Sequence, residues 1–422
     1  MRLFLLALLP AVLAASSNTS GSPIVTLSSP AATIIGEPGA KVERFVGIPF
    51  AQQPTGPLRL KPPQRQEKDG DLGHIHAIGL ARSCPQFIYS TDNRNLPESL
   101  ITRLMDIPIL QNVTDIGEDC LSVSVHRPAG TTAGDNLPVL FWIYGGGFEM
   151  SSTNFYDGTP FVIDSVEMNM PVVFVTVNYR SGGFGFLPGS EVKNDGAANL
   201  GLLDQRLALE WVVDHIADFG GDPNKVTLWG ESSGSISVFD QMMMYDGDIN
   251  YNESPLFRGA IMDSGSILPA EPIDSPKAQA IYDKVVTSAG CASAGNTLEC
   301  LRELDYEKFL NAAASVPSLM GYNSVALSYL PRPDGTVLTQ SPDKAAQSGK
   351  YASVPFIIGD QEDEGTTFAI HQSNITTTDD IVDYLEDLYF HTATRAQIQA
   401  LVDTYQDISV DGSPFRTSNI NN

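Results

Sequence analysis

The chain has 422 residues, of which 42% are hydrophobic, so it can bury a large core and a disordered chain is excluded. Its 25 Lys and Arg residues against 50 Asp and Glu give a net charge of −25, which repels phosphate backbones and anionic membrane surfaces. We therefore expect no nucleic-acid partner.

The N-terminus predicts a secretory signal peptide. Met1 and Arg2 supply a charged start, residues 3–14 form an apolar stretch too short to span a bilayer, and small residues near Ala14 allow cleavage. We interpret residues 1–15 as the signal peptide and residues 16–422 as a single domain that is secreted to the extracellular space. A retained membrane anchor is the alternative.

Four cysteines in an exported chain favour two disulfides over free buried thiols, and three pairings are open to them. Sequence order suggests Cys84 with Cys120 and Cys291 with Cys300. A glycosylated surface is predicted by Asn-x-Ser/Thr sequons at Asn18, Asn112, Asn252 and Asn374.

From residue 137 onward the sequence alternates between strand and helix patterns. Near-continuous apolar runs at 139–144 and 172–177 are typical of strands buried on both faces of a parallel sheet. Apolar residues within 203–219 recur at helical spacing and predict an amphipathic crossover helix. Further strands are predicted at 226–229, 260–262 and 354–358. Because no repeat or long linker interrupts this pattern, we predict one α/β domain with a large, mostly parallel central sheet flanked by helices.

Residues 230–234, Gly-Glu-Ser-Ser-Gly, match the G-x-S-x-G pattern of a nucleophile elbow. Small flanking residues let the chain turn sharply from a strand into a helix and expose one hydroxyl, here that of Ser232. The pattern alone is weak, but a predicted strand precedes it, and residues 235–244 contain no Gly or Pro and can continue as a helix. We predict Ser232 as a nucleophile, with a buried turn carrying an idle serine as the alternative.

Glycines also follow the predicted strand at 139–144. The Tyr-Gly-Gly-Gly-Phe segment 144–148 lets backbone N–H groups approach a substrate oxygen where a Cβ would intrude. The amides of Gly146, Gly147 and Ser233 are therefore predicted to form a three-donor oxyanion hole. A flexible glycine turn is the alternative.

Several segments together resemble the type-B carboxylesterase/lipase family, the cholinesterase-like α/β hydrolases. They are the elbow with its run-in FGGDPNKVT at 219–227, YGGGF at 144–148, and EDCL at 118–121. GIPF at 47–50, LR at 58–59 and PP at 62–63 resemble the family's N-terminal motif. YLPRPDG at 329–335 is similar to a segment of fungal secreted lipases within the family.

The resemblance implies an α/β-hydrolase fold, a Ser-Glu-His triad, no metal, no cofactor and the two disulfides suggested above. It places the triad acid at Glu364, which directly follows a predicted strand, where triad acids are held. By chemistry alone Glu362 and Asp363 are equally good acids. A solvated acidic loop is a further alternative.

The loop enclosed by Cys84 and Cys120 carries an amphipathic stretch, with apolar residues at Leu96, Leu100, Ile101, Leu104 and Met105. The resemblance implies that this loop acts as a lid whose apolar face could contact a lipid interface. The alternative is that the stretch packs permanently in the core.

The family's third triad member is a histidine in a Gly-x-x-His setting well beyond the acid. Only 58 residues (422 − 364) follow Glu364, and neither His371 nor His391 has that setting. The four earlier histidines, His74, His76, His126 and His215, precede the nucleophile, whereas this fold orders its triad Ser, acid, His, so we interpret them as ordinary surface or core residues. We expect the domain to be incomplete at its C-terminus: either a shortened form of an active esterase, or a chain that folds incompletely and catalyses little.

The predicted function is therefore a secreted carboxylic ester hydrolase, an esterase or lipase, that cleaves acyl or lipid esters through an acyl-enzyme on Ser232. Its expected partner is a small-molecule ester or lipid substrate. The alternative function is a non-catalytic cholinesterase-like binding or adhesion domain. The sequence leaves open the acyl-chain and alcohol specificity and the oligomeric state.

Overall fold

A computed structural model describes residues 21–88, 90, 115–362, 364–369 and 371–405. The predicted signal peptide, the apolar residues of the predicted lid, the sequons Asn18 and Asn112, and the acid candidate Asp363 lie outside the described residues. The division into a signal peptide and one domain stays a prediction.

Twelve strands are present in the described part of the chain: β1 Ile24–Ser28, β2 Ala31–Ile35, β3 Val42–Pro49, β4 Asp71–His76, β5 Ser122–Pro128, β6 Leu137–Ile143, β7 Val173–Val177, β8 Gly221–Glu231, β9 Asn250–Tyr251, β10 Ser254–Pro255, β11 Gly259–Asp263 and β12 Phe356–Gly359. The α-helices described are α1 Thr159–Glu167, α2 Gly182–Gly185, α3 Ser190–Asp195, α4 Leu200–His215, α5 Ser233–Met243, α6 Pro276–Ala289, α7 Thr297–Arg302, α8 Tyr306–Ala313, α9 Pro342–Gln347, α10 Gly365–Phe368, α11 Thr378–Leu388 and α12 Arg395–Val402. Short 3₁₀ turns occur at Gly56–Leu58, Thr153–Phe155, Ile216–Phe219 and Met244–Gly247.

The central sheet has seven strands in the order β12-β11-β8-β6-β7-β5-β3. The five strands from β12 to β7 are parallel to one another, while β5 pairs antiparallel with β7 and with β3. This arrangement is the α/β-hydrolase fold, and it confirms the predicted mostly parallel sheet. A small separate sheet of β1, β2 and β4 lies outside the prediction.

The strands predicted from apolar runs are found with shifts of up to two residues at their ends, except that β8 begins at Gly221, five residues before the predicted start at 226. Every residue of β7 is buried, and β6 buries most of its side chains, as expected for strands covered on both faces by helices. The predicted crossover helix is α4, which continues into the turn Ile216–Phe219. β8 lies between β6 and β11, so the elbow at its end sits in the middle of the parallel part of the sheet.

Strand β12 forms one edge of the central sheet and, among the described strands, pairs with β11 alone. Its side chains are unusually exposed for a strand of a parallel sheet: Phe356 is 54%, Ile357 66% and Ile358 48% accessible. Among the described residues, no helix combines the length and the apolar character needed to cross a bilayer.

Candidate active site

Ser232 sits at a sharp turn between β8 and α5. Its backbone has φ 54° and ψ −126°, a strained conformation that residues with a Cβ rarely adopt. The Ser232 N–H donates to the Asp263 carbonyl at 2.9 Å, and its own carbonyl accepts the Ile236 N–H at 3.0 Å. The turn is therefore held by the neighbouring strand β11 on one side and by the first turn of the helix on the other.

The glycines of the elbow are required by close packing. A Cβ at Gly230 would lie 2.5 Å from the Gly234 carbonyl carbon, and one at Gly234 would lie 2.1 Å from the Ile143 carbonyl oxygen. Neither position can hold a side chain without moving the backbone, which explains in steric terms why the motif needs glycine there.

A cavity of about 280 Å³ opens at this turn. Ser232 is half-buried and lines it. The wall is formed by Gly147, Ser232, Ser233, Ile236, Ser264, Leu268, Leu319, Val325, Leu327, Glu364, Gly365 and Phe368. Four of the residues singled out from the sequence, namely Gly147, Ser232, Ser233 and Glu364, thus meet at one cavity.

The predicted oxyanion donors lie in two segments beside the serine. Gly146 and Gly147 follow β6 with φ of 104° and 64°, and Ser233 is the first residue of α5. Within the described residues, the amides of Gly146, Gly147 and Ser233 donate no hydrogen bond to a protein acceptor. Gly147 and Ser233 line the cavity, whereas Gly146 is not part of its wall. An oxyanion hole requires backbone amides that are not bonded to protein acceptors, and the role of these three as its donors stays a prediction.

The glycine loop is fastened to the elbow by hydrogen bonds of the next residue. The Phe148 N–H donates to Ser233 Oγ at 3.2 Å, and the Phe148 carbonyl accepts the Gly182 N–H at 2.6 Å. Below the loop, the hydroxyl of Tyr179 donates to the Tyr144 carbonyl at 2.8 Å. The loop is therefore fixed to α5 and to the segment after β7, so the donors are ordered before a substrate binds.

The acidic cluster after β12 places one of its candidate acids at the cavity. Glu364 lines the wall, and its Oε1 accepts the Gln361 N–H at 2.7 Å. Glu362 is exposed and does not line the cavity. The role of Glu364 as a triad acid stays a prediction.

A second carboxylate near the serine, Glu231, was not selected from the sequence. Burial raises its pKa, and repulsion from Glu364 and Asp263 raises it further. Asp263 is in turn held by Trp229, whose Nε1–H donates to Asp263 Oδ2 at 2.7 Å. The signal that could have found Glu231 is its place in the motif, directly before the nucleophile.

No histidine of the described residues lines the cavity. His126 on β5 is buried 3.6 Å from Asp157, and burial lowers its pKa to about 4. Burial also lowers the pKa of His215 and of His371. The remaining three lie elsewhere: His74 and His76 on β4, and His391 after α11. In the described ranges, no three His, Cys, Asp or Glu side chains gather into a group that could hold a metal ion.

Both disulfides suggested by sequence order are present. Cys84 is bonded to Cys120, 36 residues away, and Cys291 to Cys300, 9 residues away. Near the first bond, Arg59 and Glu118 form a buried pair with two N–O distances of 2.6 Å.

A serine at a strained strand-to-helix turn, beside a glycine loop at the carboxyl edge of a parallel sheet, is the site arrangement of an α/β-hydrolase. The chain belongs to the carboxylesterase family, whose model matches residues 22–414.

Among its relatives, secreted lipase 1 of Botryotinia fuckeliana is 58% identical over 404 residues, which cover 96% of this chain and 70% of that protein. Secreted triacylglycerol lipase LIP1 of Gibberella zeae is 56% identical over 398 residues, or 94% of this chain and 67% of that protein. The crystal structure of Aspergillus niger EstA is similar with a TM-score of 0.74 and 30% identity, covering 91% of this chain and 68% of that chain. The chain therefore spans about 70% of the length of these proteins.

Proposed function

We propose that this chain is a secreted serine ester hydrolase that cleaves acyl or lipid esters through an acyl-enzyme on Ser232. The observation that carries the proposal is the strained backbone of Ser232, with φ of 54°, beside a cavity that it shares with the unpaired amides of Gly147 and Ser233. Strain of this kind persists where function requires it. The relatives named as secreted lipases support the same chemistry.

In the proposed reaction, the Ser232 hydroxyl oxygen attacks the ester carbonyl carbon. The carbonyl oxygen becomes an oxyanion, which the amides of Gly146, Gly147 and Ser233 stabilise by hydrogen bonds that strengthen as its charge develops. Collapse of the tetrahedral intermediate expels the alcohol and leaves an acyl-serine, which water then hydrolyses.

The proton of Ser232 requires a base, and Glu364 is proposed to orient a histidine for that role. We assign no residue as the base, because no described histidine lines the cavity.

The remaining wall of the cavity favours an acyl chain. It is aliphatic and aromatic beyond the serine, with Ile236, Leu268, Leu319, Val325, Leu327 and Phe368. An apolar pocket with a few convergent polar groups is typical of a small-molecule site. Contact of the 84–120 loop with a lipid interface is part of the proposal and rests on the sequence pattern.

Export is supported by two features. The two disulfides favour an oxidising compartment, and the first residues of the sequence have the pattern of a signal peptide.

The test is covalent labelling with an alkyl fluorophosphonate, which forms a phosphonyl-serine ester and releases fluoride. We expect mass spectrometry after long incubation to find the adduct on the peptide that contains Ser232, and Ser232→Ala to abolish it. Ser264→Ala is the matched control, because Ser264 lines the same cavity and also has a positive φ, of 56°. Equal labelling of wild type and Ser232→Ala, or no labelling of either, contradicts the proposal. A chain that binds lipid without being labelled favours the non-catalytic binding domain.

A further inference from the structure

Glu149 is a completely buried carboxyl group that the proposed reaction does not use. It lies in the turn that follows the glycine loop, between Phe148 and Met150, and its accessible fraction is 0%. Acidic side chains are almost never fully buried unless they are paired. No cation pairs with it in the described part of the chain, so its burial needs a local explanation.

The side chain of Glu149 connects the glycine loop to one wall of the cavity. Its Oε2 accepts the N–H of Leu319 at 2.8 Å, and Leu319 lines the cavity. The Leu319 side chain reaches Gly147 so closely that a Cβ at Gly147 would lie 2.7 Å from Leu319 Cδ2. The residue that narrows the cavity beside the predicted oxyanion donors is therefore held by Glu149.

The backbone of Glu149 makes two further hydrogen bonds beside the glycine loop. Its N–H donates to the Gly146 carbonyl at 3.1 Å, and its carbonyl accepts the Phe87 N–H at 3.2 Å. Phe87 lies three residues after Cys84, near one disulfide end of the 84–120 loop. One residue thus ties together the glycine loop, the chain after Cys84 and the segment that carries Leu319.

Burial favours the neutral form of this carboxyl group. Burial raises the pKa of Glu149 to about 8, and the hydrogen bond from Leu319 lowers it by a smaller amount. Tyr329 is the titratable group that interacts with this carboxyl in the described part of the chain, and its hydroxyl donates to the Ala313 carbonyl at 2.7 Å. Glu149 Oε1 has no hydrogen-bond partner among the described residues, so ionisation would leave a buried charge without compensation.

We propose that Glu149 is a positioning residue, whose carboxyl holds Leu319 against Gly147 and thereby sets the acyl-chain selectivity of the cavity. The inference rests on the proposed function only in taking the cavity as an acyl pocket. It adds a residue that acts through Leu319 and does not contact the reacting atoms. The carboxyl oxygen accepts the Leu319 N–H in either protonation state, so the proposal rests on the presence of an acceptor at this position.

The test measures binding of butyl, hexyl and octyl boronic acids to the full chain by calorimetry. Boron accepts a lone pair from the serine oxygen while the serine proton passes to solvent, so no turnover is needed. In the wild type we expect affinity to depend on chain length. Glu149→Leu removes the acceptor for the Leu319 N–H, and one hydrogen bond of this kind corresponds to an about tenfold change in the octyl-to-butyl affinity ratio.

Two further variants keep the test decisive if Glu149→Leu does not fold. Glu149→Gln retains a carbonyl acceptor for the Leu319 N–H, so its octyl-to-butyl ratio should match that of the wild type. Leu319→Ala removes the wall itself and should alter the ratio as Glu149→Leu does. Ionisation of the boronic acid cancels in the ratio.

The inference and the proposed function fail in different ways. An unchanged ratio in Glu149→Leu or Leu319→Ala, or a ratio in Glu149→Gln that departs from the wild type as far as that of Glu149→Leu, overturns the role of Glu149. Equal affinity of wild type and Ser232→Ala overturns Ser232 as the nucleophile while leaving the positioning role intact. A wild-type chain that binds none of the three compounds contradicts both.

Discussion

Replacing Asp204 with alanine removes the acceptor of three hydrogen bonds from Arg180. The Arg180 backbone N–H donates to Oδ2 at 3.0 Å, Nε donates to Oδ2 at 2.8 Å, and Nη2 donates to Oδ1 at 2.7 Å. The side chains are 2% and 0% accessible, respectively. Arg180 follows β7, two residues before Gly182, whose N–H holds the Phe148 carbonyl. The pair therefore supports the segment to which the glycine loop is fastened.

The expected cost follows from burial. Burial raises the pKa of Asp204 more than the attraction and hydrogen bonds of Arg180 lower it, so desolvation dominates and the intact pair is not a large net gain. Removing one partner is different, because the guanidinium then stays buried without its counter-charge, which costs about 3–5 kcal/mol. At about 2.1 cal/mol/K of unfolding entropy per residue, a 422-residue chain should lose about 3–6 °C in its melting midpoint.

The assay is thermal unfolding of the two variants Asp204→Ala and Glu167→Ala at neutral pH. Glu167 is the matched control because it also forms an ion pair, with Lys41 at 2.7 Å, but both side chains are more than 60% accessible. Exposed pairs contribute little, so the control midpoint should equal that of the wild type. Equal midpoints for both variants would refute the reasoning that burial decides the cost.

Three further outcomes are expected. Gly147→Ala should abolish boronic acid binding, because its Cβ would meet Leu319, whereas Gly196→Ala, at a similar positive φ but with no atom within 4 Å, should retain it. Replacing both cysteines of the 84–120 disulfide with serine should lower the free energy of unfolding by about 4 kcal/mol, and removing the 291–300 disulfide should lower it by about 2.5 kcal/mol. The difference arises because closing the longer loop removes more entropy from the unfolded chain. Urea unfolding of the two variants measures both values, and the reverse order would contradict this reason. Burial lowers the pKa of His126 in the folded chain to about 4. Between about pH 4 and pH 6.5 the unfolded chain therefore binds more protons than the folded chain, so the free energy of unfolding decreases as pH falls through that window. His126→Asn should recover up to about 3 kcal/mol at the acid end, and urea midpoints that fall equally in both proteins would contradict this.

Parallel strands whose side chains are mostly buried could be predicted because burial on both faces requires an apolar run. The residues of β7 and β11 illustrate this pattern, whereas β12 is an apolar run whose side chains are exposed. The small sheet of β1, β2 and β4 was not predicted because its strands are short and bury few side chains. In β4, for example, all side chains are exposed or only partly buried, so the segment resembles a loop in composition. β12 begins at Phe356, two residues later than expected, and Pro355 before it has no N–H to donate.

Some residues of the candidate site could be predicted from the sequence and others could not. Ser232, Gly147 and Ser233 could be selected because a tight turn restricts residue type, and glycine is required where Cβ atoms would collide. The choice among Glu362, Asp363 and Glu364 could not be made by chemistry, since all three carry the same group, and it depends on which of them faces the cavity. Glu149 was missed because nothing in a local pattern shows that a carboxyl between two apolar residues will be buried.

The order of strands in the sheet gives the site two unequal halves. The glycine loop and the elbow end the adjacent strands β6 and β8, each paired on both sides, whereas Glu364 follows β12, which has one neighbour among the described strands. In the proposed mechanism, mutations near β12 that displace Glu364 should therefore leave the turn at Ser232 and the glycine loop undisturbed. In directed evolution of this chain, mutations around β12 should therefore change or abolish the proposed ester hydrolysis while the glycine loop and the turn at Ser232 keep their structure.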